Sequence, residues 1–265
     1  MIVFNKNLYL RIYYLLINSV RDFVPFNPFL QEKKIKNKRK GFYSRFVAKN
    51  DLYFDIGANL GNRIPSLLSI GAKVVAVEPQ EFCVAYLKNR FGNKIAIVDQ
   101  GVDEEESEKE FFISTAHVLS TFSKEWTEIT KERFDGVDWN KKILKKTTTL
   151  DNLIKKYGIP EFIKIDVEGY ELKVLQGLNT PINMISFEYA VPEGFENLLS
   201  CLERLNKINP DYIYNYSVGE SMEFELPEWL TQKELTKLAS SIGFQQTSFG
   251  DIYARNPKKR ILMTT

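Results

Sequence analysis

The chain has 265 residues, 44% of them hydrophobic and 26% charged, a globular balance that excludes a disordered or fibrous protein and leaves room for one large core. One histidine, His117, and two cysteines, Cys83 and Cys201, exclude zinc sites of the usual kind and a disulfide framework, which points to a reducing, cytoplasmic compartment. The formal charge of +2 conceals an asymmetry: residues 1–50 carry a net +9, residues 255–265 add four Lys/Arg and no acid, and residues 51–254 hold a net −11.

An acidic body with basic ends is a poor grip for a phosphate backbone, so nucleic acid is not an expected partner. It suits an enzyme whose ligand is cationic or neutral.

At the N-terminus, Leu8, Ile12, Tyr13, Leu16, Val20 and Phe23 predict a helix that is apolar most of the way round. Arg11 interrupts it and no small-residue cleavage site follows, unlike a signal peptide. No apolar stretch reaches the roughly 20 residues of a spanning helix. The basic run from Lys33 to Lys40 follows. Two readings stay open: a helix docked on the main domain with a solvated basic face, or a peripheral contact with the inner face of a membrane. Residues 1–49 are therefore read as a basic helical extension, 50–256 as one domain, and 257–265 as a basic tail.

From residue 51 strands and helices alternate. Leu52–Ile56, Lys73–Val77, Ile95–Val98, Phe162–Ile165, Met184–Phe187 and Tyr212–Tyr216 read as strands. Leu60–Ile70, Glu81–Phe91, Leu150–Tyr157, Tyr170–Gln176 and Gly194–Ile208 read as helices, the third opened by a capping box of Thr148 and Asp151. Such alternation predicts an α/β fold with a parallel sheet covered on both faces. Residues 103–148 are too long for an ordinary connection and predict a hairpin plus a lid over the site.

Tyr53 to Asn62 is a strand running into a small-residue turn and then a helix. Gly57 and Gly61 allow a tight turn and a close approach to a ligand. Glu78, ending the next strand, stands where a carboxylate takes both hydroxyls of a ribose. A dinucleotide site wants glycine where Asn59 stands, and no lysine-bearing phosphate loop occurs in the chain. Asp55 repels phosphate and attracts a cation. S-adenosylmethionine, which has a ribose and a sulfonium but no phosphate, fits this set.

Asp166 and Glu168 flank Val167 where a strand meets a helix, and an extended segment points them the same way, with Lys164 alongside. Glu168 could cap the helix, the pair could hold a divalent cation together with Glu188, or one carboxylate could accept the proton of an acceptor hydroxyl. A metal ion is not predicted. Asp166 is the first candidate for base or acceptor anchor, with Glu168 beside it, and His117 is a rival base because its reference pKa suits the task. Glu188 is expected to line the acceptor pocket.

These residues resemble the FkbM-type methyltransferases. The resemblance runs in order from Asp55-Ile56-Gly57-Ala58-Asn59-Leu60-Gly61 through Val77-Glu78-Pro79 and Thr148-Thr149-Leu150-Asp151 to Ile163–Glu171, Ser186-Phe187-Glu188 and Gly250–Ala254. It implies a class I, Rossmann-like fold: a seven-stranded, mostly parallel sheet whose last strand, carrying Tyr253, runs antiparallel beside Tyr212–Tyr216. It implies cofactor contacts at Asp55, Gly57, Asn59, Gly61 and Asn62 for the methionine part, Glu78 for the ribose, and Gly101 and Val102 beside the adenine. Ser120 also looks like a family feature and is assigned to the substrate. The implied activity is O-methylation of a sugar, glycan or small metabolite. N-methylation, or cofactor binding without catalysis, are the alternatives.

Overall fold

Short apolar runs buried on both faces make the central strands of the computed structural model, which describes residues 28–131 and 133–259. In chain order the strands are β1 (Leu52–Ile56), β2 (Lys73–Val77), β3 (Ala96–Val98), β4 (Gly101–Val102), β5 (Glu108–Ile113) and β6 (Lys141–Thr148). They continue with β7 (Phe162–Ile165), β8 (Met184–Ala190), β9 (Ile213–Val218) and β10 (Phe249–Arg255). Seven of them form one sheet in the order β3-β2-β1-β7-β8-β10-β9. Neighbours from β3 to β8 are parallel, and β10 runs antiparallel to both β8 and β9. The reversed last strand is the one the resemblance implies, with Tyr253 opposite Asn215. Alternate residues of β1 feed different clusters: Phe54 and Ile56 on one face, Tyr53 on the other. That two-sided burial explains why these strands read as continuous apolar runs.

The helices are α1 (Pro28–Tyr43), α2 (Ile64–Ile70), α3 (Glu81–Phe91), α4 (Lys124–Ile129), α5 (Leu150–Tyr157), α6 (Glu171–Gln176), α7 (Phe195–Ile208), α8 (Gln232–Ala239) and α9 (Ile242–Gln245). The apolar stripe of α7 is regular: Leu198, Cys201, Leu202 and Leu205 are buried at helical spacing. Several boundaries shift by a residue or two, β8 runs on three residues past Phe187 to Ala190, and one helix start and one cap differ for a physical reason. Helix α2 begins at Ile64 rather than Leu60, because Gly57, Asn59 and Gly61 all adopt left-handed φ and keep the turn open. The cap of α5 is Thr149, whose side chain accepts from Asn152 N, and not Thr148; Asp151 instead accepts from Asn179 and Thr180.

The expected hairpin forms from β5 and β6, paired antiparallel from Glu108↔Lys146 to Ile113↔Lys141. The rest of the insertion, with α4 and a short turn at His117–Leu119, folds over the carboxyl edge of the sheet. Trp126 is buried, and Trp139 Nε1 donates to Leu119 O at 2.7 Å.

Helix α1 confirms an N-terminal helix, and the chain after it is part of the core. Phe42, Tyr43, Phe46 and Val47 are buried, with Tyr43 edge-on to Tyr53 and Phe162 at 5.5 and 5.7 Å between ring centroids. The helix expected over Leu8–Phe23 lies outside the described residues. Among the described residues no helix is long and apolar enough to cross a membrane.

Candidate active site

The turn after β1 is built by backbone geometry. Gly57 N and Ala58 N donate to Val77 O at 3.0 and 3.1 Å. Gly57 has φ +78°, and a Cβ there would lie 1.8 Å from the carbonyl oxygen of Asp166. Only glycine fits, for both reasons. Gly61 serves packing instead: a Cβ at its position would meet Ile64, Leu87 and Phe91 at 2.7–2.8 Å.

Glu78 closes this loop. Its Oε2 accepts from Asn59 N at 2.8 Å and its Oε1 from Gln80 N at 2.9 Å. Burial pushes its carboxyl up to about 7 even though these two N–H donors favour the charged form.

A cavity of about 1320 Å³ opens above the carboxyl ends of the strands, larger than the roughly 300–1,000 Å³ of ordinary small-molecule sites. It has room for a donor and an acceptor side by side. Gly57, Asn59, Asn62, Glu78, Gly101 and Val102 line it, as do His117, Ser120, Asp166, Glu168 and Glu188. Asp55 and Gly61 stand behind this wall. Asp55 is 1% exposed and neither of its carboxylate oxygens has a hydrogen-bond partner. Burial pushes its pKa up, and Arg63 opposes that. A buried, unpartnered carboxylate beneath a glycine turn fits a cationic ligand above it.

His117 and Ser120 belong to the β2 end of the cavity. The His117 carbonyl accepts from Gln80 Nε2 at 2.9 Å and lies 3.5 Å from Asn59 Nδ2; burial lowers the imidazole pKa. Ser120 donates to Gln80 Oε1 at 3.1 Å and accepts from Ser114 N at 3.0 Å. Its hydroxyl thus orients Gln80, next to Glu78.

At the β7 and β8 ends the three expected carboxylates come together. Asp166, Glu168 and Glu188 each offer an oxygen within 4.8 Å of the others, a spacing that could hold a metal ion. Glu168 reaches this point through a left-handed turn, φ +54°, rather than along an extended strand. It does not cap α6. The helix has no side-chain cap, and Glu171 at its start ties down the turn instead, accepting from Val167 N and Gly169 N and from Asn197 Nδ2.

Lys164, alongside the carboxylates as the sequence suggested, is buried and lies 2.5 Å from Asp251 and 3.6 Å from Asp166. Burial acts to raise the Asp166 pKa, but Lys164 and Arg63 outweigh it and hold the carboxyl below its usual range. Burial, then the charge of Asp166, pushes Glu168 and Glu188 well above theirs. Three carboxylates this close share at least one proton, while Asp166 keeps its charge.

Sequence reasoning missed Arg63 and Glu220. Arg63 Nη2 bonds Asp166 Oδ2 at 2.9 Å and Glu220 Oε1 at 3.3 Å, and Arg39 of α1 bonds Asn62 O and Glu220 at 3.0 and 3.1 Å. Arg63 directly follows the glycine turn, which was a usable signal. Glu220, in the loop after β9, carried none.

The methyltransferase FkbM domain model matches residues 55–230. No curated protein compared matches the chain. Among solved structures, a TehB-like SAM-dependent methyltransferase from Corynebacterium glutamicum is similar at 10% identity and TM-score 0.45, covering 95% of this chain and 97% of that one. Precorrin-6y C5,15-methyltransferase from Geobacter metallireducens is similar at 8% identity and TM-score 0.43, over 89% and 92%. The plantazolicin methyltransferase BamL, solved with a triazolic desmethylPZN analog and SAH, is similar at 8% identity and TM-score 0.44, over 96% and 92%. At this level of similarity the fold assignment rests on the strand order itself.

Proposed function

Because the chain belongs to the FkbM methyltransferase family, we propose that it transfers the methyl group of S-adenosylmethionine to a hydroxyl of a sugar, glycan or small metabolite. The observation that carries this reading is one cavity holding both the glycine turn with Glu78 and the trio Asp166, Glu168 and Glu188. The donor supplies a methyl already activated on a sulfonium, so the residues must align, hold a proton and exclude water.

Glu78 accepts from the ribose hydroxyls, using lone pairs that Asn59 N and Gln80 N leave free. Gly101 and Val102 flank the adenine, and Asn59, Asn62 and the backbone at Gly57 cradle the methionine part. Asp55, behind the loop, supplies a fixed negative field for the positive end of the donor. His117, bonded through its carbonyl to Gln80, belongs with the donor end in this reading rather than with proton transfer.

Asp166, ionised and pinned by Arg63 and Lys164, anchors the acceptor. Glu168 takes its proton, since a carboxyl pushed upward is the better proton acceptor once ionised. Alignment can supply on the order of 7–11 kcal/mol of the barrier, and the base about 10²–10⁴-fold more. Glu188 borders the acceptor, whereas Ser120, which orients Gln80 beside Glu78, belongs with the donor end. No metal is required, because Arg63 and Lys164 already balance Asp166. The same trio would hold an ammonium group, the basis of the N-methylation alternative; mass spectrometry of a methylated product separates the two.

A cytoplasmic enzyme with a basic N-terminal arm touching the inner face of the membrane completes the proposal. Calorimetry with S-adenosylhomocysteine tests its core: binding in the micromolar range is expected, and no binding by the intact protein refutes it.

A further inference from the structure

Helix α1 precedes the family-matched span, which starts at residue 55, yet it forms part of the cavity wall. Lys36, Lys38 and Arg39 line the cavity, with Ile35 and Arg39 central on the helix side that meets it and Lys36 and Lys38 on its two flanks, while Lys33, Lys34 and Lys40 of the same run do not. The position of this face along the sheet is fixed by its partners. Lys38 meets Glu223 at 2.6 Å and Arg39 meets Glu220 at 3.1 Å, and both glutamates follow β9. Strand β9 is the edge opposite β3, whereas Glu78 follows β2. Lys38 and Arg39 therefore stand on the β9 side of the cavity, away from the ribose end, with Lys36 about one turn earlier on α1; Arg39 also donates to Asn62 O, and the Lys36 carbonyl accepts from Ser66 of α2. Ile35 and Met222 add apolar surface beside these cations.

We propose that the acceptor carries an anionic group, a phosphate or a carboxylate, received by Lys36, Lys38 and Arg39 of α1. This deepens the methyltransferase reading and rests on it. Lys36 has no acidic partner among the described residues. The side chain of Glu223 is 69% exposed and that of Glu220 40% exposed. The exposed Lys38–Glu223 pair holds only weakly, so an anion with several acceptor oxygens can replace it, while Arg39, less exposed and also bonded to Asn62 O, holds the edge of the site in place. Three cations against two exposed glutamates make this side of the cavity favour negative charge. A bifunctional acceptor follows: a hydroxyl directed at Glu168 and an anion several ångströms away, directed at α1.

The test uses the full chain saturated with S-adenosylhomocysteine, titrated at constant ionic strength with pyrophosphate or with citrate. One of the two is expected to bind with sub-millimolar affinity, and which one tells phosphate from carboxylate. Lys36→Glu combined with Lys38→Glu is expected to weaken that binding at least tenfold while S-adenosylhomocysteine binds as in the parent. Lys33→Glu with Lys34→Glu, on the part of the run that does not line the cavity, is expected to change it less than threefold.

Absence of binding by both anions overturns the proposal, as does an equal loss in the two double variants, which would mean diffuse charge attraction. Loss of S-adenosylhomocysteine binding in Lys36→Glu with Lys38→Glu also overturns it, by assigning the face to the donor's own carboxylate. If the parent fails to bind S-adenosylhomocysteine at all, it is the methyltransferase reading that fails instead.

Discussion

Replacing Glu78 by Gln tests the donor site at its most constrained point. The carboxylate faces two backbone N–H donors, Asn59 N at 2.8 Å and Gln80 N at 2.9 Å. An amide has one oxygen, so one buried N–H must then face an NH₂ group. Leaving that donor unsatisfied costs about 1–3 kcal/mol of stability. The ribose also loses a charged acceptor, worth about 1.5–3 kcal/mol, or roughly a 10- to 150-fold rise in Kd.

The pH dependence gives an independent check. Burial raises Glu78 to about 7, and accepting from two hydroxyls requires the ionised form, so affinity is full above this value and is lost as pH falls through it. At pH 6 about one molecule in eleven is ionised, and Kd is expected to be about tenfold weaker than at pH 8. The stability sign is opposite: a carboxyl raised in the folded state stabilises fully below its unfolded pKa and loses that contribution as pH rises through about 7. Calorimetry with S-adenosylhomocysteine at pH 6, 7 and 8 reads the donor affinity. A Glu78→Gln protein within threefold of the parent at pH 8, or a parent with flat affinity across this range, refutes the assignment of Glu78 to the ribose.

Glu168→Gln is expected to lower kcat by about 10²–10⁴-fold and to leave S-adenosylhomocysteine affinity within threefold; parental kcat is expected to rise with pH, since the base works ionised, and an active variant retaining that slope excludes Glu168. Asp166→Asn is expected to raise the KM of the acceptor and leave donor affinity intact; unchanged kinetics would remove Asp166 from the site. Lys164→Met strands Asp251 without its buried cation and leaves Asp166 to Arg63 alone; it is expected to cost about 3–5 kcal/mol in urea unfolding. Deleting residues 1–49 removes the buried Phe42, Tyr43, Phe46 and Val47. At about 1.5–3 kcal/mol per side chain, that loss is comparable with the whole stability of a domain, so the truncated protein is expected to lack near-ultraviolet circular dichroism.

The sequence was most legible where one local rule governs. Strands β1, β2 and β7 and helices α3 and α5 end at the predicted residues, because apolar runs and flanking breakers act over a few positions. The start of α2 was hidden, since only the backbone shows that Asn59 joins its neighbouring glycines in left-handed φ. The trio Asp166, Glu168 and Glu188 was legible through strand ends, yet its charge state was not. That depends on Arg63, 103 residues from Asp166, and on Glu220 beyond it. Ser120 illustrates the same limit: the family resemblance pointed it to the substrate, while its hydroxyl is engaged by Gln80, 40 residues away.

The contact between Gly57 and the Asp166 carbonyl has a mechanical consequence. With 1.8 Å between that oxygen and the place a Cβ would occupy, the donor loop and the carboxylate turn are in register without slack. Neither can shift toward the other, and Asp166 N is also bonded to Ile56 O at 3.0 Å, immediately before the loop. In the proposed reading, the part that cradles the methyl donor and the part that aims the acceptor share a single datum in β1. Since a displacement of about 1 Å can cost 10²-fold in rate, the enzyme's precision comes from one backbone junction, and the side chains around it inherit their aim.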